Sequence, residues 1–132
     1  MSSVQEIREG IDDRLSTIAG LRHSPTVPKT LNPPHAYVKR RLTTFDVSTD
    51  GEDDLLFAIT VAVSWADWRA AQLELDPYLA STGTKSIKAA IDGDQELGGV
   101  VDFCRVASVE EERILTFSGV DYYAADLVVE VG

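Results

Sequence analysis

Residues 55–91, LLFAITVAVSWADWRAAQLELDPYLASTGTKSIKAAI, hold the reading that decides the fold. Leu55, Phe57, Ile59, Val61 and Val63 are large and apolar, whereas Leu56, Ala58, Thr60 and Ala62 between them are mostly small or weakly polar. This is period two, a strand with one face in a core and a thinner face opposite. The thin, even face is expected to be free for a neighbouring subunit. At Ser64 the period changes. Ser64 and Asp67 are both plausible N-caps, and Trp68, Ala71, Leu75, Tyr78 and Leu79 recur at helical spacing. Pro77 removes a backbone donor and predicts a kink or a division after Asp76. Gly83 reads as a stop, and Ser86 opens a short second helix carrying Ile87, Ala90 and Ile91.

Working toward the N-terminus, Ile7, Ile11, Leu15 and Ile18 form one apolar stripe and predict a helix over Val4–Gly20. Gly10 weakens it and Gly20 ends it. The stretch 22–34, RHSPTVPKTLNPP, holds four prolines in thirteen residues, which argues against any regular element. A connection of that length points to function, and Pro28, Asn32 and Pro33 are its candidate assembly contacts. Ala36–Val47 reads as a strand without a constant parity, as a bulge would produce. Its Lys39, Arg40 and Arg41 could meet acids on a neighbouring subunit.

The link 46–54, DVSTDGEDD, opens like a calcium loop at Asp46, Ser48, Asp50 and Gly51, but Phe57 stands where the closing glutamate belongs. Asp50-Gly51 between two strands is instead a hairpin signal. Asp50, Glu52 and Asp53 would then lie on an exposed acidic tip, which in a ring-forming protein could face the lumen or the next ring.

Toward the C-terminus, Asp92–Gly99 is turn-rich. Val100–Ala107 is apolar on both faces, Arg113–Phe117 is a shorter strand, and Gly119 breaks the run. Tyr122–Val131 alternates cleanly, with Tyr123, Ala125, Leu127, Val129 and Val131 on one side. The fold class that follows is α+β. It is a single domain over residues 1–132, with an antiparallel sheet of four to five strands carrying the N-terminal helix and the central helical pair.

The 132 residues suit one core, and 44% apolar with 26% charged residues is ordinary globular composition. No apolar run is long enough to span a bilayer, and MSSVQEIREG has no apolar stretch of the secretory kind. One cysteine, Cys104, excludes an internal disulfide and fits a reducing cytoplasm. With 22 acids against 12 bases the net charge is −10, which opposes electrostatic grip on nucleic acid. An acidic wall would let a duplex pass without retaining it.

Catalytic machinery is not legible. The candidate bases His23 and His35 flank a loop, Cys104 sits among apolar neighbours, and neither a nucleophile elbow nor a phosphate-cradling glycine loop is present. One Cys and two His are too few for a zinc site. The reading is therefore no enzyme, no cofactor and no metal. Trp65 and Trp68 flank a helix start. Trp68 is expected in the core and Trp65 at the surface as an interface anchor, with Arg69 beside it to pair with a neighbour's acids.

Four segments together carry a resemblance: VSWADWRAAQLELDPYL (63–79), TGTKSIKAAI (82–91), LGGVVDFCRV (97–106) and GVDYYAADLVVEV (119–131). In order and spacing the chain, from about Leu15 onward, resembles the tail terminator (tail completion) proteins of long-tailed phages, most of all those of actinobacterial siphophages. That resemblance implies a structural virion protein, a ring of six copies that caps the tail tube, ends its polymerisation and receives the head. The implied partners are further copies of the chain, the major tail tube protein and a head-completion or connector protein, with DNA passing through the lumen. It implies assembly in the host cytoplasm and a place at the head-proximal end of the tail. The alternatives are a head-completion or neck stopper protein and, from another class, a small non-catalytic ligand- or protein-binding module.

Overall fold

The computed structural model describes residues 3–44 and 54–132. Ser3 opens the first helix, α1 (Val4–Leu15), through a capping box in which its hydroxyl accepts from the Glu6 N–H while Glu6 reaches back. Ile7, Ile11 and Leu15 turn one fully buried stripe inward, and Ile18 follows in the turn beyond. The helix is a turn shorter than its periodicity suggested. Gly10, which reads as a flaw in the sequence, has a packing role. A Cβ there would lie 3.1 Å from the Leu97 Cβ, so the bare backbone lets α1 approach the 3₁₀ turn Leu97–Gly99.

Among the described residues the sheet has six strands in the order β1-β2-β3-β6-β4, with β5 also on β6. They are β1 (Arg22–Ser24), β2 (His35–Thr44), β3 (Asp54–Ser64), β4 (Cys104–Val109), β5 (Arg113–Phe117) and β6 (Val120–Val131). This corrects the expected antiparallel sheet of four to five strands: the sheet is mixed, because β1 pairs with β2 in parallel. The extra strand lies inside the proline-rich stretch. Its three residues precede the first proline, Pro25, and so keep their amide donors.

β4 and β5 lie end to end along one edge of β6, with Cys104 opposite Val131 and Phe117 opposite Val120. Across the break, the Glu110 N–H donates to the Asp126 carbonyl at 2.8 Å. Ser118 and Gly119, both at positive φ, make the tight turn from β5 into β6 that a two-residue hairpin requires.

β3 and β4 are both antiparallel to β6 and flank it, so they run parallel to one another. The crossover between them carries α2 (Trp68–Leu79) and α3 (Ile87–Asp92). Asp67 caps α2 by accepting the Ala70 N–H at 2.9 Å, and Ser86 caps α3 by accepting the Ala89 N–H at 3.0 Å. The expected break at Pro77 is absent, and α2 runs on to Leu79. The donor that Pro77 lacks falls in the last turn and would have served Leu73, whose side of the helix is exposed. α3 is tied to the sheet through one oxygen of Asp92, while the other holds Lys88 of the same helix. Asp92 accepts Lys88 Nζ at 2.6 Å and the Val106 N–H at 3.2 Å.

α1, α2 and α3 share one core cluster with the odd-numbered face of β3 and β6: Phe57, Ile59, Val61 and Val63 with Tyr123, Ala125, Leu127 and Val129. No helix joins the smaller cluster on the opposite face, made of Leu31, Tyr37, Ala62 and Ala124. Among the described residues, helices cover the sheet on one side only. Among the described residues no helix is long and apolar enough to cross a membrane.

Candidate functional site

The helix-free face collects the polar chemistry of the molecule. Tyr37 on β2 stands opposite Thr60 on β3, and Thr60 stands opposite Asp126 on β6, so one row crosses three strands. Asp126 is only 3% exposed. Its Oδ1 accepts the Thr60 hydroxyl at 2.7 Å and Arg113 Nη2 at 3.2 Å, while Oδ2 accepts Lys39 Nζ at 3.0 Å. Burial alone would raise this carboxyl's pKa. The Thr60 and Lys39 hydrogen bonds and the two neighbouring cations outweigh burial and hold it below the usual carboxylate range. Burial raises the Tyr37 phenol, with Asp126 adding to the effect against the Thr60 hydrogen bond.

A buried carboxylate that accepts three side-chain hydrogen bonds is costly to break, since loss of the carboxylate strands two cations. Lys39 reaches it because the β2 register shifts between Val38 and Arg40, the bulge that the broken parity of the sequence suggested. Lys39 thus finds its acid in its own chain. Arg40 and Arg41 stand opposite Ala58 and Phe57.

Around this row the face changes character. On one side, Leu31, Ala62 and Ala124 pack with Leu115, Phe117 and Tyr122. On the other, Leu42 is opposite Leu56 and is 56% exposed, and Arg105 on β4 pairs with Glu130 at 3.1 Å. The expectation that the even side of β3 lies open is corrected. Ala58, Thr60 and Ala62 are buried by the chain's own side chains, and the open positions lie at the rim, at Leu42 and Val120. The sequence showed small residues there. It could not show that Tyr37 and a buried ion cluster lie over them.

The other candidate residues fall at two ends of the sheet. Pro28 and Pro33 are half-buried and Asn32 is exposed, in the loop that enters β2. Trp65 and Arg69 follow the end of β3, and His35 of β2 pairs with Ala62 there, so loop and aromatic turn share one end. Asp50, Glu52 and Asp53, with the rest of the calcium-like stretch from Asp46, lie outside the described residues, between the paired positions Thr44 and Asp54.

The two tryptophans exchange their expected roles. Trp65 is half-buried and packs on the main core, whereas Trp68 is 56% exposed. Their rings meet edge-on at 4.7 Å, and Trp68 also meets Tyr123 edge-on at 5.8 Å. Trp68 is the first residue of α2, turned outward by the Asp67 cap, while the preceding turn tucks Trp65 inward. Arg69 is exposed as expected.

The histidines tie the proline-rich loop to its surroundings. His23 Nδ1 donates to Asp12 Oδ1 at 2.7 Å. His35 Nε2 lies 2.8 Å from Ser24 Oγ, and the Asn32 N–H approaches His35 Nδ1 at 3.5 Å. A backbone N–H can only donate, so Nδ1 is the acceptor and the ring proton sits on Nε2, which donates to Ser24. That is the wrong tautomer for drawing a proton from the serine. Burial, the His23 and Arg22 charges, and against them Asp12, leave His35 below its ordinary pKa. Burial pushes the Cys104 thiol up to about 11, beyond useful nucleophilicity. Among the described residues no three His, Cys, Asp or Glu side chains are grouped to hold a metal ion.

No protein-family model matches this chain, and no curated protein sequence matches it significantly. The site has therefore to be read from its own residues. Asp126, Thr60, Tyr37 and Arg113 are the members that sequence reasoning missed. The available signal was an aspartate in mid-strand, in AAD, between Ala124 and Val128 on the same side of the strand.

Proposed function

We propose that this chain is a ring subunit that caps the tail tube of a long-tailed phage, ends tube growth and presents the surface to which the head is joined. The observation that carries the reading is the sheet face without helices. It is rigidified by the Asp126 cluster and rimmed by exposed Leu42 and Val120. A closed ring needs two different complementary patches on every subunit. The ion pairs described on this face set Lys39, Arg105 and Arg113 against Asp126 and Glu130, within a chain of net charge −10. The acids thus lie mainly elsewhere on the subunit, which suits head-to-tail contact between unlike surfaces.

On this reading the partners are further copies of the chain in a ring of six, the tail tube protein and a head-side connector. Capping works by shape and charge complementarity without turnover or cofactor. DNA crosses an acidic lumen that does not bind it. The test is electron microscopy of purified protein mixed with tail tubes, beside light scattering across a concentration range. A density at one tube end and a ring mass support the proposal. A monomer at every concentration that leaves tube ends bare overturns it.

A further inference from the structure

On the helical side, away from the Asp126 face, a groove of about 550 Å³ runs between α1 and the start of the proline-rich loop. Val4, Gln5, Arg8, Glu9, Pro25 and Thr26 line it. Arg8 Nε is sealed from solvent and has no hydrogen-bond partner, and no ion pair to Arg8 occurs among the described residues. Buried donors almost always have partners, so the orphan Nε leaves a guanidinium whose residue lines the groove short of an acceptor.

We propose that this groove binds a carboxylate group, with Arg8 as the recognising cation. The guanidinium presents a planar fork of donors that matches a carboxylate two-to-two. The volume holds a small organic acid or an acidic side chain with part of its backbone, well beyond a single water. The wall is stiff. α1 is fixed at its start by the Ser3–Glu6 capping box, and Pro25 restricts the loop opposite. Glu9 is occupied, since it accepts Gln5 Nε2 at 3.2 Å. Its negative charge beside the groove disfavours two charges on one group, as in phosphate, relative to the single charge that each carboxylate group would bring to Arg8.

Glutarate, a triglutamate peptide and inorganic phosphate, titrated separately into the full chain and followed by backbone amide NMR, test this. Saturable shifts at Gln5, Arg8 and Thr26 with glutarate or the peptide are expected. Affinity should fall about tenfold or more in Arg8→Gln, recover partly in Arg8→Lys and rise in Glu9→Gln. Tighter binding of the peptide assigns the carboxylate to an acidic protein segment, and tighter binding of glutarate to a free small acid. The proposal is overturned if neither probe saturates by about 10 mM, if Arg8→Gln folds yet binds equally well, or if phosphate binds as tightly as both carboxylates. Ring formation on tube ends is scored separately in Arg8→Gln, so failure here leaves the terminator reading standing, and the reverse.

Discussion

The two faces of one sheet are held by different physics. Under the helices, Phe57, Ile59, Leu127 and Val129 are completely or almost completely buried, and their stability scales with apolar area and tight packing. On the opposite face Thr60 and Asp126 are as deeply buried, yet they are held by directed bonds to Lys39 and Arg113, whose side chains remain about one-third exposed. The same strands, β3 and β6, supply both. A face with its own helical layer can be apolar throughout. A face without one has to close itself with long side chains whose stems cover the sheet while their heads reach water.

The largest expected effect tests the apolar side. Phe57→Ala should cost about 4 kcal/mol in urea denaturation, through lost transfer and a cavity that α1 and α3 cannot fill. Asp126→Ala should follow at about 3 kcal/mol, because it leaves Lys39 and Arg113 facing an unpaired Thr60. If Asp126→Ala instead unfolds like an ordinary surface change, the second face is not held as described. The salt response separates the two. The Phe57→Ala penalty should be unchanged in high salt, while the Asp126 penalty should shrink modestly at its exposed rim.

Acid should take the polar elements apart in sequence. His35 has a folded pKa below the ordinary histidine value of 6.5, chiefly because it is buried, so its neutral form favours folding. That contribution is complete above 6.5 and is lost as pH falls from there through the folded value. Asp126 has a folded pKa below 3.8, so its contribution persists to lower pH and goes only as pH falls from 3.8 through the folded value. Thermal melts across pH 7 to 3 should show the first loss vanish in His35→Gln and the second in Asp126→Asn. A single loss unaffected by either substitution would contradict the assignment.

The smallest effect on stability is expected at the rim. Leu42→Asp should change unfolding free energy by less than about 0.5 kcal/mol, because Leu42 is mostly exposed, while weakening any self-association that light scattering detects. Cys104 offers a check on the covered side. A thiol raised to about 11 and fully buried should resist a disulfide reagent at pH 8 until the protein is unfolded.

The period of Leu55–Val63, the alternation of Tyr122–Val131 and the stripe Ile7, Ile11, Leu15 each marked the core face that the structure buries. Asp67 and Ser86 marked two helix starts that do form their cap bonds. These features are local. They depend on the periodicity of one element or on bonds spanning three residues, so the sequence by itself determined an α+β chain with its apolar faces named.

What joins distant residues needed the tertiary structure. Register alone brings Thr60 opposite Asp126, and a bulge at Lys39 turns a residue 87 positions away in the chain onto the same carboxylate. The third strand neighbour of this arrangement, β1, is invisible locally because three residues carry no period; its pairing exists only once His35, Ala36 and Tyr37 lie beside it. Trp65 and Trp68 changed places for the same reason. Both are large and aromatic, and only the angle at which α2 leaves β3 decides which ring meets the core. Spacing along the chain encodes which side of an element is apolar, while packing between elements decides which polar groups meet there.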